Sequence, residues 1–402
     1  MTIAQNLARA RSDSRLGQDD VANALGISRA MVSYWEAGTR VPNDRQLAAL
    51  SRLLLTPIAV LIGSEESTPA PDIAAMLMRG ADQVLPDDVF PGLREFVEFL
   101  GSYAELADAA RFAIRGMRQS PFVSGAGFDS ADDARRKAEE VRAYLRVGLG
   151  PIGDIDALCE LLGVTVYRAP LGLELTRAVS GAFYNHPAVG FSILVNLDMT
   201  PGRRRFTVAH ELAHALFHSE SERYIVSTSG KPPRERFADA FAGEFLMPTE
   251  GVRRVMEEEG FGVRIEDPAE VIHLQRFFGV SYITALVRLR QAKFLTQTRF
   301  DEFKDIRPVL LARSLGFEIA DEEYGPRRDL WRLERFPPRF RRLLRHAVQR
   351  AVLSVPSAAA LTRLSIDEIT ELVAADVSGS GPTEEERAEL DQYAASGILG
   401  IA

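Results

Sequence analysis

Apolar residues recur at helical spacing along most of this chain, while alternation at strand spacing is confined to one stretch near the middle. Residues 1–63 hold four amphipathic runs, Ile3–Ala10, Gln18–Leu25, Ser28–Glu36 and Asp44–Leu54, and Pro57 opens a short fifth. Gly26-Ile27, Gly38 and Pro42 punctuate them, as helix ends require. A Ser/Glu/Pro/Ala linker at 64–71 follows, then predicted helices Leu93–Met117 and Ala131–Leu149 around a glycine-bearing loop at 119–130. A helix at Ile155–Leu162 precedes three strand candidates, Val164–Tyr167, Gly181–Tyr184 and Phe191–Asn196, the last closed by Pro201-Gly202. Helices are predicted again from about 205 to 218 and from 234 to the stop at Pro248, then at Val271–Gly279 and Val280–Gln291. Beyond residue 300 the pattern stays helical, with a small pair at 356–360 and 364–373. A Ser-Gly-Ser-Gly-Pro segment and an acidic tail then read as flexible. The fold class is therefore α+β and predominantly α. Its expected divisions are 1–63, 64–149, 150–298, 299–376 and 377–402.

The stretch His210-Glu211-Leu212-Ala213-His214 adds chemistry to this outline. Four residues turn a helix through about 400°, so His210 and His214 share a face and both rings reach one tetrahedral cation. Glu211 points about 100° away, poorly set to be a ligand and well set to take a proton from water beside the ion. Zinc is the expected ion, with manganese the alternative. The helix at 234–247 supplies two acids four residues apart, Glu235 and Asp239. One suits the third ligand position and the other a hydrogen bond to a ligating imidazole; Glu235 is taken as ligand and Asp239 as its outer partner, the reverse being the alternative. Glu244 falls on another face and reads as a solvated or capping charge. His218, four after His214, is expected to hydrogen-bond near the site rather than to ligate. His186 reads as an exposed turn residue, the alternative being an oxyanion-stabilising role in the cleft.

Two segments resemble known families. Arg204 to His218, followed by Glu235 to Pro248, resembles the ImmA/IrrE metallopeptidases in motif order and spacing over roughly residues 150–295, with Ala213 and Phe245 where the family usually has Gly and Leu. The resemblance implies a zincin-like, gluzincin-type endopeptidase with a small sheet beside the HExxH helix. It also implies a helix-turn-helix repressor as substrate, cut to relieve repression of stress or mobile-element genes. Residues 1–63, with their Trp35-Glu36-Ala37-Gly38 ending, closely resemble the XRE-type domains of phage repressors. In that arrangement Val32 and Trp35 face inward. Arg29, Ala30, Ser33 and Tyr34 meet the major groove, with Arg29 forked to take guanine. Gln18, Ser28 and Arg40 are placed for phosphates.

Charge refines the picture. The net charge is −8, yet residues 1–63 carry +2 and residues 327–350, with nine arginines, carry +7, which leaves −17 elsewhere. So little positive charge on the first segment predicts weak, salt-sensitive DNA binding that a homodimer on a two-fold operator would strengthen. The arginine-rich stretch, with Trp331, Phe336 and Phe340, is read either as a second nucleic-acid or partner surface or as an amphipathic helix solvated or docked on the acidic body. A single cysteine, Cys159, excludes an internal disulfide and thiolate metal clusters. Apolar content of 46% with no apolar run able to span a bilayer predicts a cytoplasmic protein. The reading is a DNA-binding regulator joined to a zinc endopeptidase that cuts a repressor or itself. An open sheet edge, with the strand around Gly181 to Tyr184 as the candidate, would hold an extended substrate by strand addition. The alternative reading is a regulator or antitoxin whose peptidase-like part senses or docks without hydrolysis.

Overall fold

Helix starts and stops fall where the local sequence dictates them. The computed structural model of the chain describes residues 2–13, 16–54, 61–63, 89–122, 130–172, 179–219, 224–227, 233–319 and 333–374. The fifth N-terminal helix, the linker at 64–71, most of the loop at 119–130, Trp331 and the tail after 376 lie outside the described residues.

The N-terminal helices are α1 (Ile3–Asp13), α2 (Gln18–Leu25), α3 (Arg29–Glu36) and α4 (Asp44–Leu54). Gly26, in the left-handed region at φ 63°, ends α2, and Ser28 caps α3 by accepting from the Met31 amide. Leu7, Val21, Val32, Trp35, Leu50 and Leu54 make a core of their own. Arg11 and Gln18 both donate to the Glu36 carboxylate, at 2.5 and 2.8 Å, and so tie α1 and the start of α2 to the end of α3.

The larger body is built on a four-stranded sheet in the order β1 (Thr165–Ala169), β3 (Gly190–Asn196), β2 (Gly181–His186), β4 (Tyr224–Ser227). β1 runs parallel to β3; β2 is antiparallel to both β3 and β4. Side chains alternate between two cores at the strand period. Val166, Phe183, Ile193 and Val195 face one, while Tyr167, Ala182, Tyr184 and Leu194 face the other.

The first core is filled by α6 (Ala131–Leu145), α7 (Ile155–Leu162), α8 (Pro201–Phe217) and α9 (Pro233–Leu246), then by α10 (Thr249–Glu258), α11 (Pro268–Phe278), α12 (Tyr282–Gln291), α13 (Gln297–Phe303) and α14 (Pro308–Ser314). The second is covered by α5 (Phe90–Ala109) and by α15 (Pro338–Gln349), α16 (Val355–Thr362) and α17 (Ile366–Ala374). The sheet is thus enclosed by helices on both faces.

Two expectations are corrected here, and one open choice is decided. The helix predicted to reach Met117 stops at Ala109, where Arg111 adopts a left-handed φ of 51°. The chain beyond it is captured by tertiary bonds instead: the Met117 amide donates to Gly163 and its carbonyl accepts from Phe191. Gly116 lies so close to the backbone at Val189 that a Cβ there would stand 1.7 Å from the carbonyl oxygen. The strand Gly181–Tyr184, expected to offer an open edge to substrate, is internal, because β4 pairs along it from Gly181 to Tyr184. The arginine-rich helix, where described, is docked. Phe336, Phe340, Leu343 and Leu344 are buried in the second core, Arg335 pairs with Glu95, and Arg339 and Arg342 pair with Glu160.

Candidate metal centre

Pro201 at the first turn of α8 fixes the entry angle of a helix whose later turns are buried from Thr207 to Phe217. On that helix His210 and His214 stand one turn apart, 7% and 0% exposed. α9 packs alongside and delivers Glu235 from its first turn, also buried. The three residues bring one ligand atom each to within 4.8 Å of one another. His210 Nε2 lies 3.2 Å from His214 Nε2 and 3.1 Å from Glu235 Oε2, and His214 Nε2 lies 3.4 Å from Glu235 Oε1.

These separations suit a small cation. A tetrahedral ion with bonds of about 2.0–2.1 Å sets its ligand atoms about 3.3 Å apart. Two imidazole nitrogens and a carboxylate are also the donor set such an ion takes.

The outer nitrogens are held as well. His210 Nδ1 donates to Asp239 Oδ1 at 2.9 Å, and His214 Nδ1 lies 2.9 Å from His218 Nδ1. Those bonds turn each Nε2 inward toward Glu235. Burial works against charge on His210, but the Asp239 and Glu235 carboxylates outweigh it and raise its pKa to about 10. Burial pushes Glu235 upward, and hydrogen bonds to the two imidazoles more than reverse this, leaving it below the usual carboxylate range. His218 is depressed to about 3, first by burial and then by His214, which keeps it a neutral acceptor.

Glu211 is fully buried on the same helix, against Gly181 of β2. A Cβ at Gly181 would stand 2.8 Å from Glu211 Oε1, so the missing side chain leaves room for this carboxylate. Sequence reasoning overlooked Gly181, whose role emerges only when β2 is laid across α8.

Other expected residues fall elsewhere. His186 ends β2, five residues from Gly181 and therefore about 16 Å along the strand. Its Nδ1 accepts from the Ala188 and Val189 amides, and burial, then Arg118, lowers its pKa to about 4. It is the half-buried last residue of the strand, neither exposed nor beside Glu211. Of the two readings of Glu244, the capping charge is the one found: it is 1% exposed, pairs with Arg288, and accepts from the Thr249 amide at 2.6 Å.

Comparison with known proteins agrees with the two-part outline. The profile of the M78 peptidase family, described as the IrrE N-terminal-like domain, matches residues 159–290. The chain carries an IrrE-like peptidase domain. A helix-turn-helix domain profile matches residues 2–61. The HTH-type transcriptional regulator DicA of Escherichia coli (strain K12) is 35% identical over 74 residues, 18% of this chain. The chain spans 55% of DicA's length. A solved structure, a Mycobacterium tuberculosis transcriptional regulator, aligns at 20% identity over 47% of this chain and 52% of that one, with a TM-score of 0.25.

The IrrE-like domain therefore supplies a metallopeptidase-type frame, and its match includes α8 and α9 with all three converging residues. The helix-turn-helix match covers α1 to α4. Within it, Val32 and Trp35 are buried, while Ser28, Arg29, Ala30, Ser33, Tyr34 and Arg40 are exposed. The Arg40 guanidinium lies 5.4 Å from the Tyr34 ring, and Arg29 stands 3.5 Å from Asp19. Gln18 is half-buried and committed to Glu36, so it bridges α2 and α3. Among the described residues no helix is long and apolar enough to cross a membrane.

Proposed function

We propose that this chain is a transcriptional regulator whose IrrE-like domain is a zinc endopeptidase acting on a helix-turn-helix repressor or on the chain itself. The observation that carries this reading is the convergence of His210, His214 and Glu235 beside a buried Glu211. His210, His214 and Glu235 would hold the ion, with Asp239 and His218 orienting the two rings. A divalent cation there supplies Lewis acidity toward water and a substrate carbonyl. Glu211 takes the proton from the attacking water and returns it to the leaving amine. An extended substrate segment adds to the outer edge of β4, the strand that covers β2 on the side of Gly181. Residues 1–63 bind an operator as a homodimer, with Arg29, Ala30, Ser33 and Tyr34 toward the bases and Ser28 and Arg40 toward phosphates. Gln18 reaches a phosphate only through whatever donor Glu36 leaves it.

The separate core of α1 to α4, the packing of α6 on α9 and that of α5 on the sheet support a different division of the chain after residue 63. The peptidase unit proposed here accordingly recruits residues from about 89 onward.

The test is incubation of the purified chain with Zn²⁺, with and without a candidate repressor, followed by sequencing of new termini. New termini in the repressor indicate cleavage in trans; new termini within 64–71 or 119–130 indicate cleavage in cis. No new termini in either polypeptide, with one bound metal per chain, would favour the non-hydrolytic sensor.

Asp239→Asn is expected to lower metal affinity about 10- to 100-fold, since the outer partner of a ligating imidazole is lost. Competition against a chromogenic chelator measures it, and unchanged affinity would remove Asp239 from the site. Arg29→Ala is expected to weaken operator binding about tenfold or more while leaving nonspecific binding little altered, as loss of a base contact does. Equal loss on operator and random DNA would instead make Arg29 a phosphate contact.

A further inference from the structure

We propose that the cavity between the starts of α8 and α12 binds a small organic oxyanion, a carboxylate or phosphate head on a compact apolar body. This cavity, of about 590 Å³, lies apart from the metal-site residues and is lined by Pro201, Gly202, Arg205, Gln275, Val280 and Lys304, among others.

Two helix N-termini meet there. Gly202 lies so close to α12 that a Cβ on it would stand 2.7 Å from the Ser281 nitrogen. Ser281 caps α12 through the Thr284 amide, but Thr200 makes no side-chain cap on α8. The first amides of α8 are therefore left to a ligand or to water, and two helix dipoles favour negative charge at this point.

The side chains add independent evidence. Arg205 is half-buried, and among the described residues no acceptor reaches its buried Nε. It lies against Gly279 at the end of α11, where a Cβ would stand 3.1 Å from Nη1. A helix C-terminus eases the charge of a guanidinium but leaves its remaining N–H groups to be satisfied. Gln275 is only 4% exposed, lines the same cavity, and has an Oε1 without a partner among the described residues. An amide can turn either its oxygen or its NH₂ to a ligand. Lys304 pairs with Asp301 at the surface. Among the described side chains lining the cavity there is no Asp or Glu. Val280, Ile283, Ile306 and Pro308 supply an apolar wall that an inorganic ion alone would leave uncovered.

The site is independent of peptide cleavage. It does share a rigid element with the metal centre, because His210 lies nine residues from Pro201, about 13 Å along α8.

The test uses the full-length protein and four probes: phenyl phosphate, benzoate, inorganic phosphate and benzyl alcohol, by titration calorimetry and amide hydrogen exchange. Phenyl phosphate or benzoate is expected to bind and to slow exchange at the first turns of α8 and α12. The tighter of the two identifies the head group. Inorganic phosphate and benzyl alcohol should each bind more weakly than the better aromatic anion. Arg205→Gln should weaken that anion about tenfold or more, as loss of a charge-assisted hydrogen bond does, with metal content unchanged as evidence of an intact fold. Should Arg205→Gln fail to fold, Lys304→Gln and the wild-type protection map decide. Lys304→Gln is expected to weaken the anion to a lesser degree. Absence of binding by both aromatic anions, protection elsewhere, or equal binding of benzyl alcohol would overturn the proposal.

Discussion

Glu211→Gln yields a protein that keeps its cation and its DNA but loses peptide-bond cleavage by a factor on the order of 10²–10⁴, the usual contribution of a positioned general base. The amide is nearly the same size as the carboxylate, and Gly181 beside it leaves the space unchanged. The inward nitrogens of His210 and His214 and the Glu235 carboxylate are untouched, so metal content measured on the purified variant should remain that of the native chain. Operator binding should remain as well, because residues 1–63 pack around a separate core. The decisive measurement is the rate of product formation by native and variant chains loaded with the same metal. Equal rates would show that Glu211 is not the base. Equal relief of repression in cells would show that hydrolysis is not how the regulator works.

Glu244→Leu is expected to cost about 3–5 kcal/mol, the usual consequence of stranding one partner of a buried ion pair. Arg288, 2% exposed, donates through Nη2 to Glu244 and to Thr249 Oγ1, and through Nε to the Met247 carbonyl at 2.9 Å. Glu244 in turn caps the start of α10 by accepting from both the amide and the hydroxyl of Thr249. The network clamps the end of α9, the helix whose first turn presents Glu235, to α10 and α12. Removing the carboxylate leaves a guanidinium charged in a dry site, where burial already depresses its pKa. At roughly 2–4 °C per kcal/mol, the melting transition of the body should fall by about 10 °C. The double replacement Glu244→Leu/Arg288→Met should recover most of that loss, because exchanging both charges for apolar groups is often close to neutral. A single variant that melts like the native protein would show that the pair contributes nothing.

The face shared by His210 and His214 was legible because it is a local property. His210 and His214 are four residues apart, and helix geometry alone puts them on one face. The inner faces of α3 and α4 follow from the same periodicity. Glu235 and Asp239 also share a face, but periodicity did not decide which of them meets both rings. The packing of α9 on α8 turns Glu235 between the two Nε2 atoms and leaves Asp239 beside Nδ1 of His210. The position of β2 was misjudged for a related reason. Its sequence reads as an edge or a central strand equally well, and β4, separated by six residues from the end of the HExxH helix, has little signal of its own. Glu244 looks like surface charge by helical position, yet α12 arrives from 44 residues away with the arginine that makes its burial tolerable.

The amino-acid order by itself settled most of the helical runs, the paired imidazoles with their neighbouring acid, and the helix-turn-helix first segment. Each depends on spacings of a few residues, and backbone geometry converts such spacings directly into shared faces. Folding in three dimensions settled the rest: which acid completes the cluster, why Gly181 has no side chain, where the arginine-rich helix docks, and how two helix starts enclose a basic cavity. Those outcomes depend on contacts between segments far apart in the chain. There the free energy lies in mutual burial and charge pairing, which neither segment carries alone.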